Sequence, residues 1–295
     1  MVHLITVMIS AAISVVVSAS QEAVADGNIE TGGDTIPAVV WIEVDASSAS
    51  ALDTCEAGLR EWGKLTNTAM ISVGAGKSAF YRRLRERMPH LTIIPSLKTS
   101  GLFGHCGFDS LPKWGLMAKY VRAAREATGS KQVGFENEMA LKKYYAGECK
   151  LDLARLEQGL RLLPADVEYL WYPSAAGEGA KLQRHAQLDR VVEKVLNVRF
   201  IDHVTLNAPQ HLASYATRRA ADELKKVAKN PTVPLIYCCG DRWWPYERVP
   251  EALGLAKEKW GQDSWSLIFP GQGRWLQSAR SIAKALEQRS PAREP

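Results

Sequence analysis

The sequence has no long block of Lys and Arg. Its 37 basic residues stand against 32 acidic ones, a formal net charge of +5 over 295 residues, and they are dispersed, so nucleic acid is not an expected partner. Cysteine is scarce. Of Cys55, Cys106, Cys149, Cys238 and Cys239, the only close pair is adjacent in sequence, which is not the spacing of a zinc site. The six His are scattered and no H-x-H follows the first predicted strand, so metal ligation is not expected. No G-x-S-x-G elbow is present for Ser-His-Asp chemistry. Gly74-Ala75-Gly76-Lys77-Ser78 lacks the G-x-x-x-x-G-K spacing of a phosphate loop and reads as a tight turn into a helix. No cofactor is implied.

What is present is ordinary globular material: 46% hydrophobic and 23% charged residues, enough for a sizeable core. The first residues differ from the rest. Leu4 to Val17 is uncharged and apolar, and Ala23-Val24-Ala25 fits the small-x-small pattern of signal cleavage. The expected organisation is a signal peptide over 1–25, a linker over 26–36, a folded unit over 37–290 and a tail over 291–295, giving a secreted or periplasmic protein. No later stretch is long and apolar enough to cross a membrane, so no span is expected after cleavage.

From Pro37 onward, short β-branched runs alternate with segments of helical period. The predicted strands are Ala38–Val44, Thr68–Val73, Leu91–Leu97, Gln132–Phe135, Val167–Tyr172, Arg199–Leu206, Val233–Cys238 and Ser264–Phe269. Several are apolar throughout, as parallel strands buried on both faces are. The predicted helices are Ser50–Leu65, Lys77–Met88, Leu111–Thr128, Leu151–Leu163, Ala180–Val195, Leu212–Lys229, Pro250–Lys259 and Arg274–Arg289. Eight such units in about 250 residues fit a closed α/β fold, the (β/α)₈ or TIM barrel, as a single domain. An open doubly wound sheet would carry a Gly-rich turn after the first strand, where this chain has Asp45-Ala46-Ser47-Ser48.

In such a barrel, chemistry gathers at the C-terminal ends of the strands. Those positions supply Glu43 and Asp45; Ser72, Gly74 and Gly76; Ser96 and Lys98; and Glu136-Asn137-Glu138. Further round come Trp171 and Tyr172; His203, Asn207 and Gln210; Asp241, Arg242, Trp243 and Trp244; and Arg274 and Trp275. Glu136 and Glu138 are two apart, so on a strand they would point the same way. Like charges that close raise one pKa and make a carboxylic acid available near neutral pH. His203 lies within a strand and reads as a core residue.

An Asn-Glu step at the end of strand 4, here Asn137-Glu138, resembles the retaining glycoside hydrolases in which that Glu is the acid/base. That resemblance implies Glu138 in the role. The nucleophile in those enzymes is a Glu at the end of strand 7, and this chain departs there, running into Cys238-Cys239-Gly240-Asp241. Glu136-x-Glu138 is also similar in spacing to the D-x-E acid of chitinase-like barrels, without the Asp or the Gly-rich run before it. The partner carboxylate is thus Glu136 or Asp241.

Trp171, Tyr172, Trp243, Trp244 and Trp275 fall at or just past strand ends, where clustered aromatics are expected to stack on sugar rings. Asn137, Asn207 and Gln210 are expected to bind hydroxyls. Lys98, Arg242 and Arg274 are expected chiefly to neutralise Glu136, Glu138 and Asp241, and Asp45 completes the candidate binding set. The expected partner is an oligo- or polysaccharide and the expected activity hydrolysis of a glycosidic bond. The alternative is a non-catalytic carbohydrate-binding barrel that has lost its second carboxylate. Cys106 and Cys149 fall in loops on one rim and are the preferred disulfide pair, against unpaired thiols as the other reading.

Overall fold

Burial on both faces explains the unbroken apolar runs. In Ala69–Val73 every residue is buried, with successive side chains pointing alternately into the barrel and out toward the helices. The computed structural model describes residues 38–172, 179–204, 233–237, 266–269 and 275–289. Eight parallel strands close the barrel: β1 (Ala38–Glu43), β2 (Thr68–Gly74), β3 (Thr92–Lys98), β4 (Gln132–Glu136), β5 (Glu168–Tyr172), β6 (Asn197–Val204), β7 (Val233–Tyr237) and β8 (Ser266–Phe269). Each pairs with the next in order, and β8 pairs back onto β1 through Val39–Leu267. The first five begin and end within one residue of their expected limits.

The alternation yields two separate cores. Val39, Trp41, Met70, Ile94, Leu170, Tyr172 and Ile201 fill the barrel interior. Ile42, Ile71, Leu97, Phe135, Trp171 and Phe200 face outward into a larger layer shared with the helices. These are α1 (Ala51–Trp62), α2 (Ser78–Arg87), α3 (Ser100–Phe103), α4 (Leu111–Thr128), α5 (Glu138–Ala146), α6 (Leu153–Leu160) and α7 (Gly179–Val195), with α8 as Trp275–Arg289. Helix α4 has its expected limits. It stops at Gly129, whose left-handed φ of 73° turns its N–H back onto the Arg125 carbonyl. The Gly74–Ser78 segment is the tight turn expected, with Gly76 at φ 87°.

Two helices were not foreseen: α3, and α5, which opens at Glu138 directly after β4. The expected signal peptide and linker, the helices over 212–229 and 250–259, and the tail lie outside the described residues. Among the described residues no helix is long and apolar enough to cross a membrane. Near the N-terminal ends of the strands, Glu168 accepts from Gln132 Nε2 at 2.7 Å and from Arg199, a polar plug that closes the face opposite the candidate site.

Candidate active site

Register brings four polar side chains to one end of the barrel. Glu43 pairs with Ser72 across β1–β2, and Lys98 pairs with Glu136 across β3–β4. Three of them are the last residues of their strands. All stand at inward positions, since they continue the alternations Val39–Trp41, Met70 and Ile94 of the inner core.

Lys98 Nζ lies 3.1 Å from Glu43 Oε2, with the two side chains 31% and 16% exposed, so the pair is reachable from the rim but mostly withdrawn from water. The hydroxyl of Ser72, itself buried, donates to Glu136 Oε2 at 2.8 Å. The Glu136 carbonyl accepts from both the N–H and the hydroxyl of buried Thr99, at 3.2 and 2.8 Å. The next N–H, of Asn137, donates to the Tyr172 carbonyl at 2.9 Å. Backbone on both sides of Glu136 is therefore tied to β3 and β5, which fixes its carboxyl in place.

Burial, and after it the negative charge of Glu43, pushes the Glu136 carboxyl up to about 7. The Lys98 ammonium and the Ser72 hydroxyl work against that rise, and Glu138 adds to it. A carboxyl group with that value is partly protonated at neutral pH and can both give and take a proton.

Room for this arrangement comes from the layer beneath. Ser72, Ser96 and Gly134 stand in one register row. A Cβ on Gly134 would meet Met70 Sδ at 2.9 Å and Ser96 Oγ at 3.0 Å, so any side chain there would have to displace Met70 or Ser96.

Several expectations need correction. Strand β4 ends at Glu136, and Asn137 already has helical dihedrals (φ −103°, ψ −5°). Glu138 is therefore the first residue of α5, and the period-two reasoning that aimed it alongside Glu136 does not apply. It remains at the rim, half-buried, where its charge is felt by Glu136. Asn137 is fully buried, and neither polar atom of its side chain has a partner among the described residues, so it presents no surface to a sugar hydroxyl. Trp171 points outward and is also fully buried, edge-on to Phe108 and Phe135 at 5.9 Å from each. Tyr172 points inward, 3% exposed, T-shaped against Trp41 at 5.3 Å. Neither ring is an open stacking platform. The alternation along β5 sends Trp171 into the layer shared with the helices and Tyr172 into the barrel interior.

Asp45 is exposed, and its Oδ1 accepts from the N–H and hydroxyl of Ser47 at 3.0 and 2.5 Å, which hold its carboxyl below the usual range. It shapes its own turn. Lys98 does balance carboxylates: it is bonded to Glu43, and its charge also acts on Glu136. Cys106 and Cys149 are both free thiols in this structure, the second of the two readings, and no disulfide between them is shown. Asn207, Gln210, Asp241, Arg242, Trp243, Trp244 and Arg274 lie outside the described residues, as does the side chain of Trp275, which opens α8.

Glu43 and Ser72 are the members of the cluster that the sequence places at strand ends without assigning them a role. The available signal was a charged or hydroxyl residue closing an otherwise apolar strand at an inward position.

No family profile and no curated protein sequence matches the chain. Solved barrel structures do align. An endo-β-N-acetylglucosaminidase from Cordyceps militaris is 9% identical at a TM-score of 0.49, covering 88% of this chain and 93% of that one. A β-1,3-glucanosyltransferase from Rhizomucor miehei is 11% identical at 0.49, covering 79% and 86%. A D-allulose 3-epimerase from Methylomonas sp. is 10% identical at 0.49, covering 86% and 97%. Likeness this distant carries no argument about chemistry. The closed eight-stranded barrel stands on this chain's own strand pairing.

Proposed function

We propose that this chain is a barrel enzyme that hydrolyses a glycosidic bond, with Glu136 as general acid/base and Glu43 as the carboxylate facing it. The observation that carries the reading is Glu136, a largely buried carboxyl lifted to about 7 at the C-terminal rim beside a second carboxylate. Protonated Glu136 would give its proton to the glycosidic oxygen as the C–O bond breaks. The Glu43 carboxylate would bond to the anomeric carbon as the sugar alcohol leaves, and the Glu136 carboxylate would then take a proton from water as the water oxygen displaces Glu43 and a hemiacetal forms. Lys98, bonded to Glu43, balances one of the two negative charges. This moves the acid role from Glu138 to Glu136 and leaves Glu138 as a rim carboxylate, with Asp241 outside the described residues.

Support from aromatics now rests on Trp243, Trp244 and Trp275, because Trp171 and Tyr172 are core residues. The apolar Leu4–Val17 segment and the Ala23-Val24-Ala25 step support export, where an oligo- or polysaccharide would be met.

The test is a hydrolysis assay over a glycan panel with wild type, E136Q and E43Q. Expected is turnover by the wild type and a loss of kcat of at least about 100-fold in E136Q, the usual reach of a general acid. Full activity in E136Q overturns the assignment. Glycan binding without turnover in all three proteins replaces it with a carbohydrate-binding barrel.

A further inference from the structure

Two loops meet on the rim beside this cluster. Residues 104–110 join α3 to α4 and so follow Lys98; residues 147–152 join α5 to α6 and so follow Glu136. Both open on a glycine with positive φ, Gly104 at 64° and Gly147 at 82°, which caps the preceding helix and turns the chain out of it. They are already stitched together. The Cys149 thiol donates to the His105 carbonyl at 3.5 Å, and the Asp152 N–H donates to Asp109 Oδ2 at 3.0 Å. His105 Nδ1 lies 3.1 Å from the Met139 carbonyl of α5.

Cys106 is exposed and Cys149 is partly buried against the outer core. The Cys149 thiol is pushed up to about 11, by burial first and then by its hydrogen bond with Cys106 and that group's charge. Cys149 therefore sits against the residue that precedes Cys106, on two loops that two cross-loop hydrogen bonds already hold together, with a third bond tying His105 to α5.

We propose that Cys106 and Cys149 form a redox-responsive disulfide that staples the two rim loops following Lys98 and Glu136. The oxidant is a small-molecule disulfide of the glutathione type. The exposed Cys106 thiolate attacks one of its sulfurs, the small S–S bond breaks, and one small thiol departs with the proton Cys106 lost. Cys149 then releases its proton and attacks Cys106 Sγ, expelling the second small thiol. Two protein thiols are oxidised and one small disulfide is reduced to two thiols. Cys55 stays out of the exchange, since it is buried and its thiol is pushed up to about 12. The staple is independent of whether the rim hydrolyses a sugar.

The full chain is incubated natively with oxidised glutathione. Remaining thiols are then blocked with iodoacetamide in denaturant, and the protein is digested without reductant for mass spectrometry. Expected is a linked peptide pair carrying Cys106 and Cys149 that separates on reduction. Closing a loop of this length should raise Tm by about 5 °C in the oxidised protein, absent in C106S and C149S. C149S should also accumulate glutathione on Cys106, because the resolving sulfur is gone. Alkylation of both thiols after oxidation, a wild type that halts at the mixed disulfide, or a link from Cys106 to Cys238 or Cys239 would each overturn the proposal.

Discussion

The Ser72 hydroxyl donates to Glu136 Oε2 at 2.8 Å across the inside of the barrel, from β2 to β4, passing over β3. The contact is possible because Ser96 and Gly134 put almost no side-chain bulk in the row between. A donor to the carboxylate favours the charged form, so this bond restrains the rise in the Glu136 pKa. In S72A the restraint is gone. The limb of the pH–rate profile that reports Glu136 should move to higher pH, by roughly one unit for a hydrogen bond to a charged group. A limb that stays in place or moves to lower pH contradicts the assignment.

Stability should carry the mark of the same carboxyl. A group lifted from 4.5 to about 7 in the folded state binds its proton more tightly there than when unfolded. Its contribution is therefore fully present below pH 4.5 and is lost as pH rises through 7. The loss is up to about 3 kcal/mol, since one unit is about 1.4 kcal/mol. In E136Q, urea unfolding at several pH values should show this decline removed, with the variant more stable than wild type above pH 7.

Among the described residues, Lys98 is a cation bonded to Glu43 and felt by Glu136. In K98M two partly buried acids would share the site without it. Destabilisation of about 2 kcal/mol is expected at pH 8, below the cost of breaking a fully buried pair because Lys98 is 31% exposed. It should shrink at pH 5, where Glu136 is protonated. Equal destabilisation at both values would mean that Lys98 acts through packing of its stem.

Trp171 separates a core role from a sugar-stacking one. It is fully buried against Phe108 and Phe135, so W171A should cost about 3–5 kcal/mol of unfolding free energy. A variant that unfolds normally but has lost glycan affinity would return Trp171 to the binding surface.

The barrel was readable in the order of residues because its causes are local and repeated. Apolar runs such as Ala69–Val73, stops such as Gly129, and the spacing of strands and helices each depend on a few neighbouring residues. That Glu136 lies at a strand end was legible for the same reason. Lys98 was legible as a balancing charge, but the full set of side chains that meet Glu136 was not. Glu43, Ser72 and Lys98 come from three other strands, and only the closing of the sheet, with β1 to β4 side by side in register, brings them within reach of one another. The switch from strand to helix at Asn137 lies equally beyond local pattern, because Phe-Glu-Asn-Glu is compatible with either period; the Asn137 N–H makes a bond to β5, at Tyr172, while its carbonyl already accepts the first helical bond, from Leu141. The sequence by itself determined a closed α/β barrel with carboxylates on its rim. Tertiary structure alone decided which of them is buried, which is paired with a cation, and hence which can hold a proton at neutral pH, because desolvation and charge proximity are set by neighbours far apart in the chain.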